Sequence, residues 1–332
     1  MWITGGSSVH SPCFSLRMGG ASGFNQGMNI TSPSIRPYGQ TAPAGFRSSR
    51  AVAAGTRPSR SPIMTSTHHA GTFATAGCPN LVSFTSPSGG IGLSTITALV
   101  ALTLSMQNVG CALLDADLPH GGLGILLGIE HEPGLSLQDI DAPLGKIDGK
   151  ALDLELPHWE DIGVLACASW RGPMPEWWQM QAAMHALCEA NQIVLADVGD
   201  GTVWEYVPEL LLAQHVIAVE LSVLGLARAK EHLARLQRLQ REFQEDGDEH
   251  VTPIIVLTEP RGAPKRSTSS AIATSEAIAY LGGDALGPIQ HVPRLCGDIL
   301  DGLGIGAVPR CNRLAVQALA DRILEPLDAE SV

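Results

Sequence analysis

Gly89, Gly90 and Gly92 are the residues whose type and spacing most directly suggest chemistry. They lie in Thr85-Ser-Pro-Ser-Gly-Gly-Ile-Gly-Leu-Ser-Thr95, after an apolar run at 80–84 and before an alanine- and leucine-rich stretch at 94–106 with helical spacing. Strand, glycine loop and helix in that order form the layout in which backbone N–H groups turn inward to hold a phosphate at a helix N-terminus. Small residues are needed because side chains would block the turn and the approach of an anion. A loop that hydrolyses nucleotides also carries lysine beside those amides, and here Ser88 and Leu93 stand where the two lysines are expected. The cradle is kept and its side-chain charge is gone.

The elements that must position this loop follow a βαβ rhythm. Apolar runs predict strands at 80–85, 109–115, 162–167, 192–198, 215–220, 252–258 and 286–292. Helical spacing predicts helices at 94–107, 174–190, 204–212, 223–244, 268–281, 295–302 and 312–325. Such alternation predicts one α/β domain over 79–328, a doubly wound, mainly parallel sheet with helices on both faces. The insertion from His120 to Asp161 follows the second strand, at the end where doubly wound sheets bind ligands.

Charge separates a tail from this body. Residues 1–78 hold six arginines (Arg17, Arg36, Arg47, Arg50, Arg57, Arg60), no lysine and no acid. That leaves 15 of the 21 Lys+Arg downstream against all 33 Asp+Glu, a body charge of −18. So acidic a body argues against a nucleic-acid groove or an anionic membrane surface as main partner, since both reward clustered Lys and Arg. The tail, rich in Ser, Gly, Pro and Thr, offers no apolar face to offset ordering entropy, and we expect it to be disordered. Its composition superficially matches an organelle transit peptide, and equally a start placed too far upstream, with Met28 or Met64 as the true start. Seven dispersed cysteines without a C-x-x-C pair indicate neither a disulfide framework nor a zinc site and read as buried fillers in a reducing cytosol. No apolar run reaches the roughly 18 residues that span a bilayer, so a cytoplasmic, soluble protein is expected.

Two glycine-loop families could claim the stretch. Thr85-x-x-x-Gly89-Gly90-Ile91-Gly92 resembles the cofactor loop of short-chain dehydrogenases, which also need Tyr with Lys four residues on to lower the phenol pKa. The residues four after Tyr38, Tyr206 and Tyr280 are Ala42, Leu210 and Asp284, so that reading fails. Ser88-Gly-Gly-Ile-Gly-Leu-Ser-Thr95 resembles instead the deviant Walker A motif of the MinD/ParA family, without its lysines. Leu113-Leu-Asp115-Ala-Asp117 is similar to that family's switch strand, and the run from Leu126-Leu-Gly to Glu132-Pro-Gly-Leu135 to its CpaE-like members. Ile193-Val-Leu-Ala-Asp197-Val-Gly-Asp200 resembles the Walker B strand, and Val292-Pro-Arg-Leu-Cys-Gly-Asp298 the late V-P-x-D segment. The resemblance covers residues 80 to about 325 and points to the actinobacterial CpaE-like branch, found in septum-site and Tad-pilus or secretion settings. The receiver-like domain that usually precedes this fold in CpaE-like proteins is not found in residues 1–78.

The resemblance implies a P-loop fold and ATP with Mg²⁺ as ligand, bound at Ser88, Gly89, Gly90, Ile91, Gly92, Leu93, Ser94 and Thr95. It makes Ser94, Asp115 and Asp197 the Mg²⁺-side groups and Asp115 and Asp117 the switch carboxylates near metal and attacking water. An Asp at the end of a parallel strand also serves simply as a cap, a reading that stays open for Asp115 and Asp197. Thr258 falls near the family's purine-contacting Asn, where an ordinary strand end is the simpler reading. Arg171 is a candidate replacement cation, though its spacing does not place it near the phosphates. Implied partners are proteins of division-site or pilus and secretion machinery, with homodimerisation, no nucleic acid and no direct membrane anchor, recruitment to membrane or pole coming through partners. The function implied is localisation or assembly with weakened or absent ATP hydrolysis; the alternative is a working ATPase switch. Outside the loop, Trp177 and Trp178 read as core plugs or a docking spot, and Leu224 to Phe243 as an amphipathic helix with a solvated arginine face.

Overall fold

The computed structural model describes residues 78–143, 145–168, 172–243, 252–261 and 272–330. The tail up to residue 77 and Arg171 lie outside them. The strands are β1 Leu81–Thr85, β2 Cys111–Asp115, β3 His158–Trp159, β4 Ile162–Leu165, β5 Ile193–Asp197, β6 Gln214–Glu220, β7 Ile254–Thr258 and β8 Ala285–Ile289. The helices are α1 Leu93–Met106, α2 Leu123–Leu127, α3 Gly149–Leu154, α4 Trp177–Ala190, α5 Val223–Phe243, α6 Thr274–Leu281, α7 Pro293–Leu300 and α8 Arg313–Glu330. The strands form one sheet in the order β3-β4-β2-β5-β1-β6-β7-β8. All pairs are parallel except β3 with β4 at one edge.

Strands β1, β2, β5 and β7 are buried along their whole length, because a parallel sheet covered on both faces needs apolar side chains on both. Alternate residues feed two cores. Leu81, Val194 and Ala196 join Met180 and Met184 of α4 and Leu226 and Leu236 of α5 on one face. Val82, Phe84 and Leu195 join Leu99 and Leu104 of α1 and Leu319 and Ile323 of α8 on the other. β1 lies between β5 and β6, so the chain leaves it toward one half of the sheet and leaves β6 toward the other. The loop after β1 thus opens at the switch point, where the flanking connections part and leave a crevice.

The single helix expected over 204–212 is two 3-10 turns, Thr202–Glu205 and Pro208–Leu211. Pro208 excludes helical backbone at the preceding residue, and Val207 accordingly sits at φ −126, ψ 77. The insertion after β2 contains the short α2 and α3 and the edge strand β3, none of which has enough turns to show a period. Helix α4 starts at Trp177, after Pro173 and Pro175, with a reciprocal cap between Glu176 and Gln179. Trp178 packs on the core while Trp177 is half exposed. Cys311 is exposed, so the cysteines are not uniformly fillers. Among the described residues no helix is long and apolar enough to cross a membrane.

Candidate nucleotide site

The ends of three adjacent strands build the site. Asp197 pairs in register with Phe84 on one side and Asp115 on the other. The Ser86 amide donates to the Gly199 carbonyl at 2.9 Å, and the Val198 amide to the Phe84 carbonyl at 2.9 Å, tying the loop to the strand beside it. The Ser86 hydroxyl accepts from the Ser88 amide and donates to the Ser88 carbonyl, a local turn that shapes the approach to the glycines. Gly90 at φ 75 and Gly92 at φ 95 hold the left-handed backbone that turns the loop into α1. Helix α1 has no side-chain cap and no acid in its first turn, so its N-terminal amides keep their positive field. Leu93 is partly buried and packs against the core on the α1 face.

The carboxylates differ in what they do. Asp197 is 4 % exposed, accepts a hydrogen bond from the Gly199 amide at 3.4 Å and lies beside the Ser94 hydroxyl. Burial pushes its carboxyl up to about 7; the Ser94 hydroxyl opposes this, and nearby Asp115 adds to it. Asp115 accepts backbone N–H bonds from Gly122 at 2.9 Å, Leu123 at 3.1 Å and Cys167 at 3.4 Å. It therefore caps α2 and ties the exit of β4, and burial still lifts its carboxyl to about 6. Asp117 is more open and bonds His120 at 3.0 Å. A Cβ on Gly199 would collide with the Asp117 carboxylate, so glycine there, at φ 63, lets the segment after β2 close on the end of β5.

Among the described residues no three His, Cys, Asp or Glu side chains are placed to hold a metal by themselves. Mg²⁺ does not need them, because it keeps several waters and takes phosphate oxygens with one or two protein oxygens. The Ser94 hydroxyl beside Asp197 fits that demand. With no cation bound, a buried carboxyl raised from 3.8 to about 7 contributes stability that is full below about pH 4 and lost as pH rises through about 7. Asp197→Asn, which cannot ionise, is expected to melt higher than the parent at pH 8, with the gap closing by pH 4. Melting curves across that range check it, and a gap that widens toward acid would contradict the assignment.

Two residues that matter here, His232 and Trp204, carry no loop or strand-end motif. His232 on α5 bonds the Thr85 hydroxyl at 3.0 Å from beneath the loop. Burial, then Arg235, holds His232 down to about 4, so it is neutral. Trp204 packs on it with ring centres 5.1 Å apart. The signal was a polar residue on an apolar stripe, His232 lying between the buried Ala229 and Leu236. Thr258, at the end of β7, is 2 % exposed with an unpartnered hydroxyl. It lines a narrow cleft of about 50 Å³ with Gly92, Thr95, Arg261, Ile289 and Val292.

The sheet order, with the glycine loop at its switch point and acids on the neighbouring strand ends, decides the fold. It is that of the MinD/ParA-type P-loop proteins. A ParA family ATPase from Chlorobium tepidum TLS matches with TM-score 0.54 and 18 % identity over 75 % of this chain and 98 % of its own. MinD in the MinC:MinD cell division complex of Aquifex aeolicus matches with TM-score 0.55 and 16 % identity over 74 % and 96 %. The septum site-determining protein MinD of Pyrococcus horikoshii OT3, complexed with Mg-ADP, matches with TM-score 0.53 and 17 % identity over 75 % and 97 %. At these identities the likeness is one of fold. No protein-family model matches the sequence, and no curated protein does.

Proposed function

We propose that this chain is a CpaE-like localisation or assembly factor of septum-site or Tad-type pilus and secretion machinery, acting through protein contacts with weakened or absent ATP hydrolysis. The observation that carries the reading is Ser88 and Leu93 at the two lysine positions of an otherwise intact phosphate loop. Phosphoryl transfer depends on positioned positive charge, and one added arginine finger is worth about 10³ to 10⁵ in rate. In MinD of Aquifex aeolicus the same fold is found with a protein partner, MinC. A membrane or polar position would come through such partners.

A second reading, a Mg²⁺–ATP switch that dimerises and hydrolyses, is favoured by the Ser94–Asp197 pair and by Asp117 beside Gly199. Turnover of labelled ATP by the full chain with Mg²⁺ separates the two. We expect a rate too low for switching, unchanged by Asp117→Ala. A rate matching lysine-bearing relatives, abolished by Asp117→Ala, would establish the switch.

A further inference from the structure

We propose that Arg261 is the cation of this phosphate loop, reaching it from the end of β7 in place of the lysines to meet the phosphate groups of a nucleoside di- or triphosphate. The inference deepens the second reading above, a nucleotide-binding site, and rests on it. A Cβ built on Gly92 would lie 3.8 Å from Arg261 Nη2. The guanidinium thus sits beside the residue that starts α1, where the helix amides already favour an anion. Arg261 makes no ion pair among the described residues, although Glu259 shares the rim of the cleft.

The cleft is polar at one end and apolar at the other. Gly92, Thr95 and Arg261 form the anion end, and Ile289, Val292 and Leu295 the apolar end. Thr258 lies on the same wall, 98 % buried with an unpartnered hydroxyl. A buried hydroxyl without a partner is costly, and a bound nucleoside would satisfy it. A free phosphate would account for the loop and Arg261 but not for the apolar end or Thr258. Planar guanidinium also suits the geometry of phosphate oxygens better than a lysine at that distance would.

The test is calorimetric titration of the full chain with Mg²⁺–ATP, and separately with adenosine, on wild type, Arg261→Ala, Arg261→Lys and Thr258→Val. Arg261 is exposed, so its replacement should leave the melting midpoint unchanged. Arg261→Ala is expected to weaken ATP binding about ten- to a hundredfold and leave adenosine binding alone, with Arg261→Lys between the two. Thr258→Val is expected to weaken both ligands by a similar factor, about two- to tenfold. Equal ATP affinity in wild type and Arg261→Ala overturns the assignment, as does an equal loss for ATP and adenosine in Arg261→Ala. Absence of any ATP binding by wild type also overturns it, and leaves the localisation function standing because that function does not require nucleotide.

Discussion

Restoring both lysines, Ser88→Lys with Leu93→Lys, is expected to tighten Mg²⁺–ATP binding by about ten- to a hundredfold. A charge-assisted hydrogen bond contributes about 1.5 to 3 kcal/mol, and the loop offers the rest of the site already formed. Gly90 and Gly92 hold the turn, and the α1 amides are uncapped. Leu93 lies along the core on the α1 face, a path that a lysine stem can follow while its ammonium reaches the loop. Ser88 is 8 % exposed, so a lysine there must turn outward across the glycines, where nothing lies within 4 Å of a Cβ on Gly89 or Gly90. By resemblance to the MinD/ParA family, a lysine at position 88 would couple nucleotide to dimerisation. The unmodified chain is accordingly expected to keep one monomer–dimer equilibrium with or without ATP, and the double variant to shift it. Calorimetry and sedimentation on both forms decide the matter. Micromolar or tighter binding by the unmodified chain would show that the missing lysines cost little.

The largest structural effect is expected at a residue that touches no ligand. Trp204→Ala should lower the melting midpoint by roughly 6 to 20 °C, since deleting a buried Trp costs about 3 to 5 kcal/mol and each kcal/mol is worth about 2 to 4 °C in a domain of this size. Trp204 is 1 % exposed and stands edge-on to His215 at 5.7 Å, with His232 at 5.1 Å on its other contact. The Arg235 guanidinium lies 5.7 Å from its ring, and a Cβ on Gly201 would meet the ring at 2.7 Å. No rearrangement of those groups fills so large a space, because His215 and His232 are both held by hydrogen bonds of their own. His232 would lose its wall, and the loop would lose the fixed partner of Thr85. Trp204→Phe, which keeps most of the ring, should recover the larger part of the midpoint. A fall of less than about 3 °C for the alanine variant would mean that this packing is unimportant.

The site and its frame came from different levels of information. Short apolar runs and the 3.6 period are local properties, and they located all the long helices and seven of the eight described strands. The glycine loop could be read for the same reason, since it lies between a strand and a helix that its own neighbours define, whereas Ser94 and Asp197 are singled out by resemblance alone. Where a proline broke the local rule at Pro208, the period misled and a helix became two 3-10 turns. The roles of single side chains were decided elsewhere. Asp115 is a cap because the chain returns through Gly122 and Leu123 to meet it, and its backbone partners could not be known from the strand alone. His232 lies 147 residues from Thr85. Thr258 and Arg261 reach the Gly92 cleft only because β7 and β8 lie on the far side of β6 from the loop strand, with α1 packed across the sheet. Such meetings depend on the order in which parallel crossovers lay strands side by side, a long-range outcome to which no short stretch of sequence responds.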